Sequence, residues 1–181
     1  MANTTFDGPV RSKNGFINLG PAAVKAVTLA TDLTVADHAG RLVTMDPAAT
    51  PTAITIPSII STADSAVAGP GSDPNNKSTI GTTFEILFID DFTGTIKTAN
   101  TSDKFVGMVT LGIDASTAGK QFVPATANNE VNLNGEAGAS VATTGGLKGS
   151  RIKFTAIAAN LYAVEGLLNA TGSLATPFDS Q

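Results

Sequence analysis

The sequence contains no cysteine and no tryptophan, and only one histidine and one tyrosine among its 181 residues. Without cysteine, disulfides, thiolate nucleophiles and Cys-ligated metals are excluded. With a single histidine, any Ser–His pair or His-ligated metal would depend on His38, and no G-x-S-x-G elbow accompanies it. His38 sits in the turn Thr34-Val-Ala-Asp-His-Ala-Gly-Arg41, where a structural or merely exposed role is expected. The shortage of Trp and Tyr counts against lectins and glycosidases, whose sugar sites stack rings on exposed aromatics. Charge is scarce too, at 14% of residues against roughly 25% in an average domain. The formal net charge is −4, with Arg11, Lys13, Lys25 and Asp7 giving residues 1–25 a balance of +2 and leaving −6 on the rest. An acidic body does not suit a nucleic-acid partner, which would call for a basic patch or stripe. Residues Met1–Leu19 hold no apolar signal-peptide core, and no apolar run approaches the roughly 20 residues of a membrane helix. The expected product is soluble, with no membrane partner.

What the chain does contain is β-branched and aromatic residues in short alternating runs, with 18 glycines and frequent turn chemistry between them. Strands are predicted at Arg41–Met45, Ala53–Ile56, Thr83–Ile89, Thr95–Ala99, Lys104–Leu111, Arg151–Ile157 and Leu161–Leu167. Val24–Leu33 is a further candidate, and Glu130–Leu133 and Ser140–Thr143 are weaker ones. Asp91–Gly94 reads as the turn of a hairpin joining Thr83–Ile89 to Thr95–Ala99. Asn160 reads as the turn of a second, terminal hairpin. The fold class is therefore all-β, an antiparallel β-sandwich or barrel-like domain with an extended N-terminal arm. Its boundaries fall at 1–22 for the arm, 23–168 for the β domain with a long surface loop at 58–78, and 169–181 for a C-terminal tail. Phe84, Ile86, Phe88, Val106, Met108, Val109, Ile152, Phe154 and Val164 form the predicted core. Leu174 and Phe178 are candidate anchors for the tail.

Few motifs suggest chemistry. Asp90-Asp91 offers two hard oxygen ligands, but the spaced loop of an EF-hand is missing, and turn carboxylates accepting backbone N–H groups explain the pair more simply. Gly145-Gly-Leu-Lys-Gly-Ser150 lacks the spacing of a phosphate-binding loop and no helix is readable after it. The chain reads as non-enzymatic, with no cofactor and no metal. The arm is different: Phe6 and Phe16 are two of nine phenylalanines, spaced along a Gly/Pro/Asn-rich segment with Arg11 and Lys13 between them. These four residues are the predicted partner contacts.

The order of segments also resembles a known family. Leu33-Thr-Val-Ala-Asp-His-Ala-Gly-Arg-Leu-Val, Ala53-Ile-Thr-Ile-Pro, Thr83-Phe-Glu-Ile-Leu-Phe, Ile96-Lys-Thr-Ala-Asn, Asp103-Lys-Phe-Val-Gly-Met-Val and Leu161-Tyr-Ala-Val-Glu-Gly resemble a β-rich structural module of tailed-bacteriophage virions. The opening Met1-Ala-Asn-Thr-Thr-Phe-Asp-Gly-Pro-Val-Arg-Ser-Lys-Asn-Gly-Phe16 is similar to the arm of small head-associated proteins. The sequence departs from the module where Leu161-Tyr162 replaces a Trp and where 58–78 is inserted. The resemblance implies a capsid decoration or cement protein, made in the host cytoplasm and bound to the phage head in many copies. It further implies the major capsid protein as partner and a homo-oligomer, with a trimer at shell axes as one form. The alternative is a host-recognition or structural domain of a fibre or tail tip.

Overall fold

Alternation of apolar and polar residues becomes strand at nearly every segment that carries it. The computed structural model describes residues 24–47, 52–61, 78–113, 118–135 and 142–181. The first half comprises β1 (Val24–Val27), β2 (Thr31–Asp32), a single helical turn α1 (Val35–His38), β3 (Leu42–Met45), β4 (Thr52–Ile56), β5 (Thr83–Phe88) and β6 (Thr93–Thr98). After them come β7 (Lys104–Ile113), β8 (Gly119–Phe122), β9 (Glu130–Asn134), β10 (Arg151–Ala158), β11 (Leu161–Ala170) and β12 (Phe178–Asp179). They build two sheets, a seven-stranded one in the order β1-β3-β5-β10-β11-β7-β8 and a five-stranded one in the order β12-β9-β6-β4-β2. One apolar core lies between them, so the fold is a β-sandwich.

From β1 to β7 the chain changes sheet at every step. Two crossings return it to the first sheet running in its original direction, so β1/β3, β3/β5, β2/β4 and β4/β6 are parallel neighbours. With β7/β11 also parallel, parallel ladders are as numerous among the described residues as the antiparallel β5/β10, β10/β11, β7/β8, β6/β9 and β9/β12. The sandwich is thus mixed rather than purely antiparallel. The expected β5–β6 hairpin does not form, because β6 lies in the other sheet between β4 and β9. Phe92 explains the difference. A hairpin tip would leave it in water, whereas here it is fully buried against Phe88, ring centroids 4.7 Å apart, and turns the chain across the core. The β10–β11 hairpin does form, with Asn160 at φ 57° in its turn.

Phe84, Ile86, Phe88, Val109, Ile152, Phe154 and Val164 are buried as predicted. Val106 and Met108 are not: they are 43% and 41% exposed. Strand β7 turns Phe105, Val109 and Leu111 inward, and period 2 then sends Val106 and Met108 out with Lys104. Residues 169–181, read from sequence as a tail, belong to the sandwich: β11 runs to Ala170, Leu174 and Phe178 are buried, and β12 pairs with β9. The arm, most of the 58–78 loop and the first half of Ser140–Thr143 lie outside the described residues.

Candidate interaction surface

The inner faces of the two sheets are alike, whereas their outer faces differ. On the five-stranded sheet, strand alternation places Ala53, Thr55, Thr95, Lys97, Glu130 and Asn132 outward, all half-buried. Thr95 Oγ1 donates to Asn132 Oδ1 at 2.9 Å, and Asn132 Nδ2 donates to Asp179 Oδ2 at 3.3 Å. This face is polar and tied together by its own side chains.

The outer face of the seven-stranded sheet carries three rows that follow from the ladder registers. One row reads Thr44, Leu87, Arg151, Leu167, Thr110, and the next reads Leu42, Glu85, Lys153, Glu165, Met108. A shorter row reads Thr83, Thr155, Ala163, Val106. Leu167 is 67% exposed, and Val106, Met108 and Ile157 are all above 40%. Single exposed apolar residues are ordinary on protein surfaces; several on one sheet face make it the candidate surface here. Two shallow depressions of about 460 and 490 Å³ cross this face and share Met108 and Glu165 in their walls.

Within the two longer rows charge is balanced. Arg151 reaches diagonally to pair with Glu85, and Lys153 Nζ lies 2.7 Å from Glu165 Oε1 directly across the β10–β11 ladder. In each pair one partner is well exposed: the Arg151 side chain at 61% and that of Glu165 at 68%. Exposed pairs of this kind contribute at most about 1 kcal/mol to folding, so they add little to the stability of the sheet on which they sit. They remain able to turn toward a partner.

The polar groups that sequence reading weighed as chemistry have structural work to do. His38 is buried, and the Thr34 N–H donates to its Nδ1 at 3.0 Å. Burial lowers its pKa, and the accepted N–H requires Nδ1 to be unprotonated. Thr34 caps α1 through Oγ1, and Gly40 takes the positive φ of 69° that follows. Asp91 Oδ1 accepts the Lys148 N–H at 2.8 Å, and Asp90 Oδ1 accepts the Asp91 N–H at 2.9 Å. Both carboxylates are turn acceptors, as expected. Among the described residues no group of three or more His, Cys, Asp or Glu is placed to hold a metal ion. Nor is any helix among them long and apolar enough to cross a membrane.

Asp103, one of several scattered carboxylates read as acceptors of backbone N–H groups, does accept one, but its burial was not read from the sequence. Asp103 is fully buried; its Oδ2 accepts the Ile59 N–H at 3.1 Å, and its Oδ1 has no partner among the described residues. Burial raises its pKa, and the Ile59 N–H opposes that in part. Nearby, the Tyr162 hydroxyl donates to Pro57 O at 2.7 Å, and its pKa is raised by burial and then by the Asp103 charge. Together Asp103 and Tyr162 fasten the segment after β4 to the strands of the seven-stranded sheet. The only hint in the sequence was a lone Asp between a turn and a strand, which is indistinguishable from many exposed ones.

Phe6, Arg11, Lys13 and Phe16, the predicted contacts, lie outside the described residues. The surface on β5, β10, β11 and β7 was missed because Val106 and Met108 were assigned to the core. Parity with charged residues could have revealed it: Lys104 shares a face with Val106 and Met108, and Glu165 shares one with Leu167. Comparisons of the chain with protein-family models, with curated proteins and with solved structures find no match.

Proposed function

We propose that this chain is a non-enzymatic structural protein of a tailed-phage virion, a decoration or cement protein that joins the head in many copies. The observation that carries the assembly part of this reading is the outer face of the seven-stranded sheet. There, Val106, Met108, Ile157 and Leu167 stand exposed around charges that balance within the two longer rows. Such a face suits a protein that works by covering and being covered, since burying apolar area is the main favourable term in association. The groups an enzyme would use are also engaged in holding turns: His38 by Thr34, Asp91 by Lys148 and Asp103 by Ile59. The virion setting rests on the resemblance of the segments quoted above, and the major capsid protein is the partner it brings with it.

Protein quantification of purified virions that carry this chain tests the reading. A head decoration protein is present in fixed proportion to the major capsid protein. A small copy number set by tail symmetry would place the chain on a fibre or tail tip instead. Its absence from purified virions would overturn the structural role.

A further inference from the structure

Strand β4 ends its ladder at Ile56, whose carbonyl accepts the Ala99 N–H at 2.9 Å. The four residues that follow, Pro57–Ile60, are held mainly by side chains. The Tyr162 hydroxyl donates to Pro57 O at 2.7 Å, the Ile59 N–H to Asp103 Oδ2 at 3.1 Å and the Ile60 N–H to Thr79 Oγ1 at 2.9 Å. One backbone bond, from the Thr79 N–H to Ile60 O at 2.9 Å, supports them. Asp103 sets this attachment apart from an ordinary turn. Its carboxyl is fully buried, its Oδ1 has no partner among the described residues, and it belongs to neither of the ion pairs found among them. An ionised carboxyl in such a place needs hydrogen bonds on both oxygens or a cation, and here a single N–H serves it. The segment Pro57–Ile60 and the turn Ala99–Ser102 carry no titratable side chain. Of the groups on nearby elements, Lys97, Lys104, Glu130 and Asp179 lie on the outer faces of their sheets, and Asp37 and His38 of α1 both bond to Thr34. Tyr162 is the one that points inward, 1% exposed.

We infer that Asp103 is a proton-operated latch on the segment Pro57–Ile60: protonated, it keeps the segment seated over Tyr162, and on losing its proton it lets the segment lift while the two sheets stay folded. Lifting exposes the new charge to water and breaks the Ile59–Asp103 and Pro57–Tyr162 bonds together. The ladders are untouched, because the segment lies past the end of β4. Ile59 packs partly against the core, and that contact opposes the lift at every pH. The direction of the pH response follows from Asp103. Burial raises its pKa in the seated state and the Ile59 N–H offsets this in part, while in the lifted state the carboxyl returns to a value near 3.8. The seated state is therefore favoured most below about pH 3.8. The lifted fraction grows by up to tenfold per pH unit above that and levels off beyond the seated-state value. Tyr162 does not titrate in this range: burial, and then the Asp103 charge, raise its pKa, so it stays a donor to Pro57 throughout. The latch is independent of which particle the protein joins.

Amide hydrogen exchange on the full chain, followed residue by residue across the acid and neutral range and corrected for the intrinsic rates, tests it. In the parent, the Ile59 amide should be protected at least about tenfold less than the Ile86 amide at the centre of β5, because it opens without the rest of the domain. Its protection should fall as pH rises above about 3.8, by up to tenfold per unit, and then level off. Asp103→Asn keeps an acceptor for the Ile59 N–H and cannot ionise, so its Ile59 protection should stay flat over the same range. Tyr162→Phe removes only the bond to Pro57; it should lower Ile59 protection at every pH and leave the titration in place. Three results would each overturn the latch. One is an Ile59 amide in the parent whose protection does not change with pH. Another is an Ile59 amide that exchanges only as fast as Ile86, which would mean that the segment opens only with the whole domain. The third is an Asp103→Asn variant that titrates like the parent. The first two are read on the parent alone, so they hold even where a variant does not fold.

Discussion

Replacing Phe88 with alanine tests the sandwich at the place where the chain leaves one sheet for the other. The ring is fully buried, lies beside Met45 in the β3–β5 ladder and packs on Phe92, the residue that turns the chain across the core. Truncating a buried phenylalanine costs about 3–5 kcal/mol, of which the aromatic pair accounts for about 0.5–1.5 kcal/mol. Met108→Ala is the companion measurement. Its side chain is 41% exposed, so only part of the roughly 1.5–3 kcal/mol of a fully buried methionine is at stake, and the loss should be about 1 kcal/mol or less. In urea melts at concentrations low enough to keep the chain monomeric, with a slope of about 2 kcal/mol per molar, Phe88→Ala should lower the midpoint by about 2 M and Met108→Ala by at most about 0.5 M. Equal shifts for the two variants would refute the reasoning. The seven-stranded sheet would then be covered on both sides within one chain, and its outer face would not be available to a partner.

Gly107→Ala should destabilise by roughly 3 kcal/mol, because φ is 124° there and a Cβ would stand 2.1 Å from Val164 O in the β7–β11 ladder; thermal melts of the purified variant check this. Asp103→Asn keeps an acceptor for the Ile59 N–H and removes the buried charge. The folded-state pKa of Asp103 is raised, so its contribution to stability is greatest below the unfolded value near 3.8 and falls as pH rises through the folded value. Denaturant melts across the acid range should therefore show the parent losing ground to Asp103→Asn as pH increases. His38 behaves oppositely: its folded-state pKa is lowered, so its contribution holds above the unfolded value near 6.5 and is lost as pH falls below it. A parent that is no more acid-sensitive in that range than His38→Gln would contradict its buried, unprotonated role.

The strands were legible because their periodicity is local. Phe84, Ile86 and Phe88 declare one face of β5 without help from the rest of the chain, and Arg151-Ile-Lys-Phe-Thr155 does the same for β10. Pairing was less legible, since it depends on where the connections go. Asp91-Phe-Thr-Gly94 has the composition of a hairpin turn, and only the burial of Phe92 shows that it is a crossing between sheets. Val24–Leu33 likewise reads as one strand but supplies β1 to one sheet and β2 to the other. The candidate surface was hidden by the same limitation. In β7, Val106 and Met108 are as apolar as Phe105 and Val109, and the sequence of that strand does not say which set faces the opposing sheet. The decision comes from β11, where Glu165 fixes the outward parity and Met108 is its ladder partner.

The absence of cysteine makes the central claim open to direct measurement, because any thiol introduced is the only one in the chain. Leu167→Cys places a thiol in the middle of the outer face of the seven-stranded sheet, and Lys97→Cys places one on the outer face of the five-stranded sheet. Labelling rates with a thiol-reactive dye would be compared between dilute monomeric protein and the assembled state. The account predicts that Leu167→Cys reacts readily in the monomer and becomes protected on assembly, while Lys97→Cys reacts equally in both. Protection of Lys97→Cys with Leu167→Cys left unprotected would contradict it.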